Sequence, residues 1–162
     1  WIRKASLERM LPNKILLFIE EARELAIWQN HGKFYLIDKA GHVIKGANLE
    51  KFKDLIVVIG QKAPANALEL FALLEAQPSI KRLVNSAIWV AGRRWNLQIK
   101  GEVEVRLPER GASRALARLD RYIRLHKIIK GNVKALDLRV PNRLIINREP
   151  NNENKASEGQ ET

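Results

Sequence analysis

The spacing of apolar residues changes character several times along the chain, and that succession constrains the fold more than any other feature. Apolar residues at every second position predict a half-buried strand, whereas recurrence at i, i+3 and i+4 predicts a helix. In "EVEVRLPERG", Val103, Val105 and Leu107 alternate with Glu102, Glu104 and Arg106, the pattern of a strand with one wet face. Trp1 to Glu8 and Lys14 to Glu20 also read as strands, parted by "MLPN", whose Pro-Asn pair suits a turn. In "KILLFIEE", Ile15, Leu17 and Ile19 share one face and Leu16 and Phe18 the other, so both faces are expected to be covered. Short runs at Leu25 to Gln29, Lys33 to Asp38 and His42 to Lys45, broken by "NHG" and "KAG", predict an antiparallel meander. A further run covers Leu55 to Ile59.

The period then switches. From Pro64, a residue suited to a first helical turn, Leu68, Phe71 and Leu74 recur at helical spacing until Pro78 stops the element. "SIKRLVN" is ambiguous and allows a single helical turn. "SAIWVAG", "RRWNLQIKG" and "EVEVRLPERG" return to strand character, punctuated by Gly92, Gly101 and Pro108. A second helix is predicted over Ala112 to Lys130. Ala112, Ala115, Leu116, Leu119, Tyr122 and Ile123 fall on one arc, Arg110, Arg114, Arg118 and Arg121 lie opposite, and Gly131 suits a left-handed cap. "KALDLRVPNRLIINRE" then reads as two short strands joined by a tight turn, the last with nothing after it to pair with. Residues 149–162 are polar and carry no apolar anchor, which predicts a disordered tail. Strands, helix, strands, helix, strands, without regular βαβ alternation, predict an α+β fold: an antiparallel or mixed β-sheet covered by two helices.

The 162 residues suffice for one domain, or one domain plus a fragment of another. With no cysteine there is no disulfide, and that absence fits several compartments. No run approaches the roughly 18 apolar residues of a bilayer span. The sequence opens inside a strand-like segment without a Met, as expected of a piece of a longer protein. A net charge of +11 and a pI near 10.2 fit nucleic acid, anionic lipid or an acidic protein as partner, as well as a merely soluble surface. The row Arg110, Arg114, Arg118 and Arg121 has the geometry phosphates require, so a nucleic-acid-binding helix face stands as an alternative to a solvated one. The aromatics Trp28, Trp89, Trp95 and Tyr122 are patterned as core or half-core residues rather than base-stacking platforms. His31, His42 and His126 lack metal-ligand spacing, "VIGQK" and "GASRA" match no phosphate loop, and the Glu102/Glu104 pair has no nucleophile nearby. Neither catalysis nor a metal nor any other cofactor is expected.

Taken in order, the segments resemble the FtsQ family of bacterial cell division proteins from Trp1 to about Arg148. "WIRKASLERMLPNKILLFIEEARELAIW" looks like the end of the family's POTRA domain, with Trp1, Leu11-Pro12, Glu21, Ala26 and Trp28 in the family's places and Glu24 where Pro is usual. "FYLIDKAGHVI" is similar to the opening of the family's β domain, "RRWNLQIKGEVEVRLPERGASRALARL" to its strand-and-helix succession, and "ALDLRVPNRLIIN" to its closing hairpin. The resemblance implies a POTRA remnant at 1–24, a β domain at 25–148 and the tail at 149–162. It further implies a non-enzymatic scaffold, monomeric on its own, on the periplasmic side of the inner membrane at the division site, anchored by a single upstream transmembrane helix. Its implied partners are FtsB and FtsL, with no nucleic acid. Carried over residue by residue, the implied partner contacts are Val140, Asn142, Arg143, Leu144, Ile145, Ile146, Asn147 and Arg148, together with Glu109 before the second helix. Val140 and Arg148 stand where relatives have Tyr and Trp, and Glu109 where Arg is common. Backbone pairing at the apolar edge, with aliphatic packing by Leu144 and Ile146, is therefore expected to replace aromatic anchoring.

Overall fold

A computed structural model describes residues 2–100, 102–126 and 132–149. The chain begins with a two-stranded antiparallel ribbon, β1 (Ile2–Met10) and β2 (Lys14–Glu21). A mixed sheet follows, built from β3 (Glu24–Asn30), β4 (Lys33–Asp38), β5 (Val43–Ile44), β6 (Val57–Ile59), β7 (Val84–Val90), β8 (Arg94–Ile99), β9 (Val103–Arg106), β10 (Val133–Asp137) and β11 (Ile145–Arg148). Among the described residues three α-helices interrupt it, α1 (Ala63–Glu75), the single turn α2 (Pro78–Lys81) and α3 (Ala112–His126), besides a 3-10 turn at Leu49–Phe52. The nine strands lie in the order β11-β10-β9-β8-β7-β6-β3-β4-β5.

The fold class matches the sequence expectation, and the pairing adds what periodicity could not supply. β6 runs parallel to β7 and β9 parallel to β10, so α1 and α3 are the crossovers of two βαβ units as well as covers. Parallel neighbours need such a crossover because a short turn reverses the chain. α1 starts where Pro64 occupies its first turn and buries Ala63, Ala67, Leu70, Phe71 and Leu74. Leu68, read from spacing as part of that stripe, is 54% exposed, because the buried stripe is centred on Leu70 and Leu74. Ser79 to Lys81 of the ambiguous segment lie in α2, and Val84 already begins β7. On α3, Ala115, Leu116 and Leu119 are buried as expected, whereas Tyr122 is exposed and Asp120 is buried, paired with Arg124. The predicted helix end at Lys130, the Gly131 cap, Trp1 and residues 150–162 of the predicted tail lie outside the described residues.

Cross-strand register places the core. Trp28, Val58, Ala87, Leu97, Val105, Leu136 and Ile146 form one row across seven adjacent strands, and the middle five are fully buried under α1 and α3. Their neighbours on the opposite face, Gln29, Ile59, Ile88, Asn96, Arg106, Asp137 and Ile145, form a second row that mixes polar residues with three isoleucines. A smaller apolar cluster of Ile27, Leu36 and Ile44 sits on that face, covered by Leu49, Phe52 and Leu55.

The ribbon departs from expectation. Both of its faces are apolar as read, yet neither is covered: Leu17 is 59% and Phe18 55% exposed. Among the described residues the ribbon shares no register pair with the large sheet. Glu102 also departs from the reading that put it beside Glu104 on a wet strand face, for it occupies a turn at φ +65° ahead of β9.

Candidate partner-binding edge

β11 is one outer strand of the sheet, and among the described residues it pairs with β10 alone. Its register sets Ile145 opposite Asp137, Ile146 opposite Leu136 and Asn147 opposite Ala135. Beyond Arg148 the Glu149 amide donates to the Asn132 carbonyl at 2.9 Å, and Lys134 lies 3.1 Å from the Glu149 carboxylate. Glu149, expected to open the disordered tail, therefore closes the strand instead.

Alternation of main-chain groups identifies what the open side offers. The Glu149 amide turns toward β10, so those of Asn147 and Ile145 do too. The Leu138 amide donates to Arg106 on β9, so Ala135 and Asp137 face β11, in agreement from the other strand. The groups left facing outward are those of Ile146 and Arg148. Side chains alternate in the perpendicular direction. Leu144 and Ile146 pack against the main core, while Ile145 is 43% exposed on the far face. Leu144 and Ile146, expected to supply aliphatic packing to a partner, are half-buried at the rim of the core, and Ile145 is the more exposed aliphatic side chain. Asn147 and Arg148 are exposed.

The connection from β10 to β11 spans residues 138–144, longer than the tight turn read from sequence, which forms at its centre over Val140 to Arg143. Inside it the Arg143 amide donates to the Val140 carbonyl at 3.2 Å, with Asn142 at φ +60°, a conformation asparagine tolerates. Val140 is 40% exposed, and Pro141, Asn142 and Arg143 are exposed. At the start of the loop Arg139 grips Asp137. Its backbone amide and guanidinium donate to the Asp137 carboxylate over 2.6–3.0 Å. The Arg139 side-chain bond holds the Asp137 carboxyl below its ordinary range, against the opposing effect of burial. Sequence reasoning did not single out this pair. Two-residue spacing in an extended segment was the available signal, since it places both side chains on one face.

The fold brings the distant Glu109 to the same end of the sheet. It lies in a cleft of about 510 Å³ with Arg93, Arg94, Arg110, Arg139 and Pro141, its carboxylate 3.8 Å from Arg93. A neighbouring cleft of about 270 Å³ is lined by Arg110, Arg114, Arg118, Arg139 and Asn142, among others. The arginines read as a phosphate-facing row thus divide. Arg114 and Arg121 are exposed, while Arg118 turns to the closing loop and donates through Nη2 to the Arg143 carbonyl at 3.1 Å. Of the aromatics, Trp95 is buried and meets half-buried Trp89 in a tilted contact, ring centroids 4.9 Å apart, and Trp28 donates to the Gly60 carbonyl. Among the described residues no group of three His, Asp or Glu side chains is placed to hold a metal ion.

These features define an α+β domain that ends in an unpaired strand edge beside an arginine-rich loop cluster. The family model for the C-terminal part of cell division protein FtsQ/DivIB matches residues 26–139, and the chain belongs to the FtsQ/DivIB family. Cell division protein FtsQ of Bradyrhizobium diazoefficiens is 32% identical over 146 residues, covering 90% of this chain and 43% of that protein. Those of Rickettsia felis (33% identical; 91% and 55% covered) and Caulobacter vibrioides (32%; 90% and 48%) are similar to the same extent. The chain spans about half the length of the curated relatives it matches. The extracytoplasmic domain of DivIB from Geobacillus stearothermophilus, solved as the trans isomer, gives a TM-score of 0.44 at 17% identity, covering 67% of this chain and 97% of that one.

Proposed function

We propose that the chain is the extracytoplasmic part of a division scaffold that receives FtsB, with FtsL, by strand addition to β11. The observation that carries this reading is the open edge: β11 lies outermost in the sheet, with the main-chain groups of Ile146 and Arg148 facing away from β10. An extended segment docked there would form main-chain bonds to those groups. One of its side chains would continue the core row beyond Ile146, and a neighbour on the opposite face would meet Ile145. Val140, Asn142 and Arg143 in the loop, and Glu109 across the cleft, would flank the incoming strand. Exposed apolar edges are ordinarily blunted, and among the described residues this one has Arg143 before it and Arg148 and Glu149 at its end as charged flanks.

The same reading takes residues 1–24 as the last strands of a POTRA domain and 25–148 as the β domain. The exposed apolar faces of the ribbon support this, as does its separation from the large sheet among the described residues. It also puts the chain on the periplasmic side of the inner membrane, held by an upstream span. No helix among the described residues is long and apolar enough to cross a membrane. No observation here favours the nucleic-acid reading of the α3 arginines.

The test follows from the direction of the amides. Ile145→Pro would remove a donor of the internal ladder, whereas Arg148→Pro removes one that faces outward, at an exposed position on an edge strand where proline is tolerated. With the extracytoplasmic part of FtsB as probe, Arg148→Pro is expected to weaken binding about tenfold, on the scale of a lost main-chain bond and its flanking order, with circular dichroism unchanged. An unaltered Kd in the folded variant would reject strand addition at this edge.

A further inference from the structure

We propose that Arg118 is a positioning residue that sets the register of the edge strand, holding the Arg143 carbonyl from the helix layer. The inference rests on the reading of β11 as the binding edge, and it starts from a weakness in that strand's sequence. Slipping a strand by one residue exchanges its two faces. In most strands this would bury polar residues, but Leu144, Ile145 and Ile146 are all aliphatic, so a one-residue slip still places an isoleucine against the core. Side-chain pattern therefore specifies this register poorly. The turn at Val140 to Arg143 lies inside a longer connection, with residues 138, 139 and 144 between it and the strands, so it does not by itself fix how β11 meets β10.

The far end of the strand is tied by the Glu149 amide to the Asn132 carbonyl, but only across a bulge. Pairing of β10 with β11 is irregular between Val133 and Ala135, and a bulge of that kind absorbs an extra residue. What remains is the near end. Arg118 stands on α3 between Ala115 and Leu119, whose side chains are buried in the core, so its backbone is held by the helix layer. Its Nη2 reaches the Arg143 carbonyl at 3.1 Å, two residues before β11 begins, while its Nε is shut off from solvent with no partner among the described residues. The side chain is thus drawn inward to the loop rather than extended into water. Fixing the carbonyl of residue 143 fixes which main-chain groups of 145–148 meet β10 and which stay open. In the slipped register the outward donors would belong to Ile145 and Asn147, and a docked partner would meet the wrong set of side chains.

The experiment compares the chain with its Arg118→Ala and Arg118→Lys variants by amide hydrogen exchange and by binding to the FtsB fragment used above. Arg118→Ala is expected to speed exchange of the Ile145 and Asn147 amides about tenfold, to erase the nuclear Overhauser contacts between Ala135 and Asn147, and to weaken binding by a similar factor. Leu116, Leu119 and the amides of β8 should keep their protection, and Arg118→Lys, which retains a cationic donor, should recover most of the effect. Unchanged exchange in β11 overturns the proposal whatever happens to affinity, and so does a loss of protection that extends through α3. Should the unaltered chain fail to bind the fragment, the partner reading falls while exchange still decides the role of Arg118.

Discussion

Ala91 sits at φ +52° and Gly92 at φ +69°, both in the left-handed region, where the β7–β8 turn closes with the Arg93 amide on the Val90 carbonyl. Such hairpin turns favour Asn or Gly at the first of these positions, because a Cβ is strained there and asparagine tolerates the conformation best among residues with side chains. Ala91→Asn is expected to raise stability by about 0.5–1 kcal/mol in urea unfolding. A second residue-scale effect concerns acid. Because Arg139 depresses the folded-state pKa of Asp137, the pair contributes stability that is present above the ordinary carboxyl value of 3.8 and is lost as pH falls toward the lower folded value. The unfolding midpoints of the chain and of Asp137→Asn should therefore differ most near neutrality and converge as pH is lowered through that window. Both features were within reach of the sequence in principle. "VAG" marked a turn, and Asp137 and Arg139 share one side of an extended segment, but neither the sign of φ nor the reach of a guanidinium is a property of composition.

The elements themselves were legible to within a few residues, and the exceptions follow from what they pack against. Hydrophobic period located α1, α3, the meander and the closing strand, yet assigned Leu68 and Tyr122 to buried faces because helical spacing defines a stripe without fixing its centre. The ribbon shows the converse: its apolar pattern was read correctly and its cover was not, since a strand pattern does not supply the layer that would cover it. Contacts between elements are stricter than either pattern. Gly41, in the turn after β4, lies so close to the start of α1 that an added Cβ would stand 2.6 Å from the Pro64 carbonyl oxygen, and its φ is +80°. Gly41→Ala is expected to cost about 2–4 kcal/mol, combining left-handed strain with overpacking, read as a lower urea midpoint.

For the molecule as a whole, the large sheet carries its own core, so removing residues 1–21 should leave it folded. A chain beginning at Ala22 is expected to melt within about 4 °C of the longer one, and to aggregate less because the exposed faces of the ribbon are gone. A larger fall in Tm would show that the ribbon is an integral part of the sheet's stability. The candidate site was legible in part: the apolar closing strand and its open edge came from the order of segments, as did Glu109 through family resemblance. Its assembly was not, because the meeting of Glu109, Arg118 and Arg139 at one end of the sheet depends on two parallel crossovers. By itself the sequence determined the α+β class, the place of most strands and helices, and the position of an aliphatic strand near Leu144 to Ile146. These follow from periodicity and turn chemistry acting over a few neighbouring residues. Only the tertiary structure decided that β9 and β10 run parallel, that Ile146 faces in and Ile145 out, and that Arg118 reaches the loop. Each of those depends on main-chain pairing and packing between segments far apart in sequence, where residue spacing carries no register.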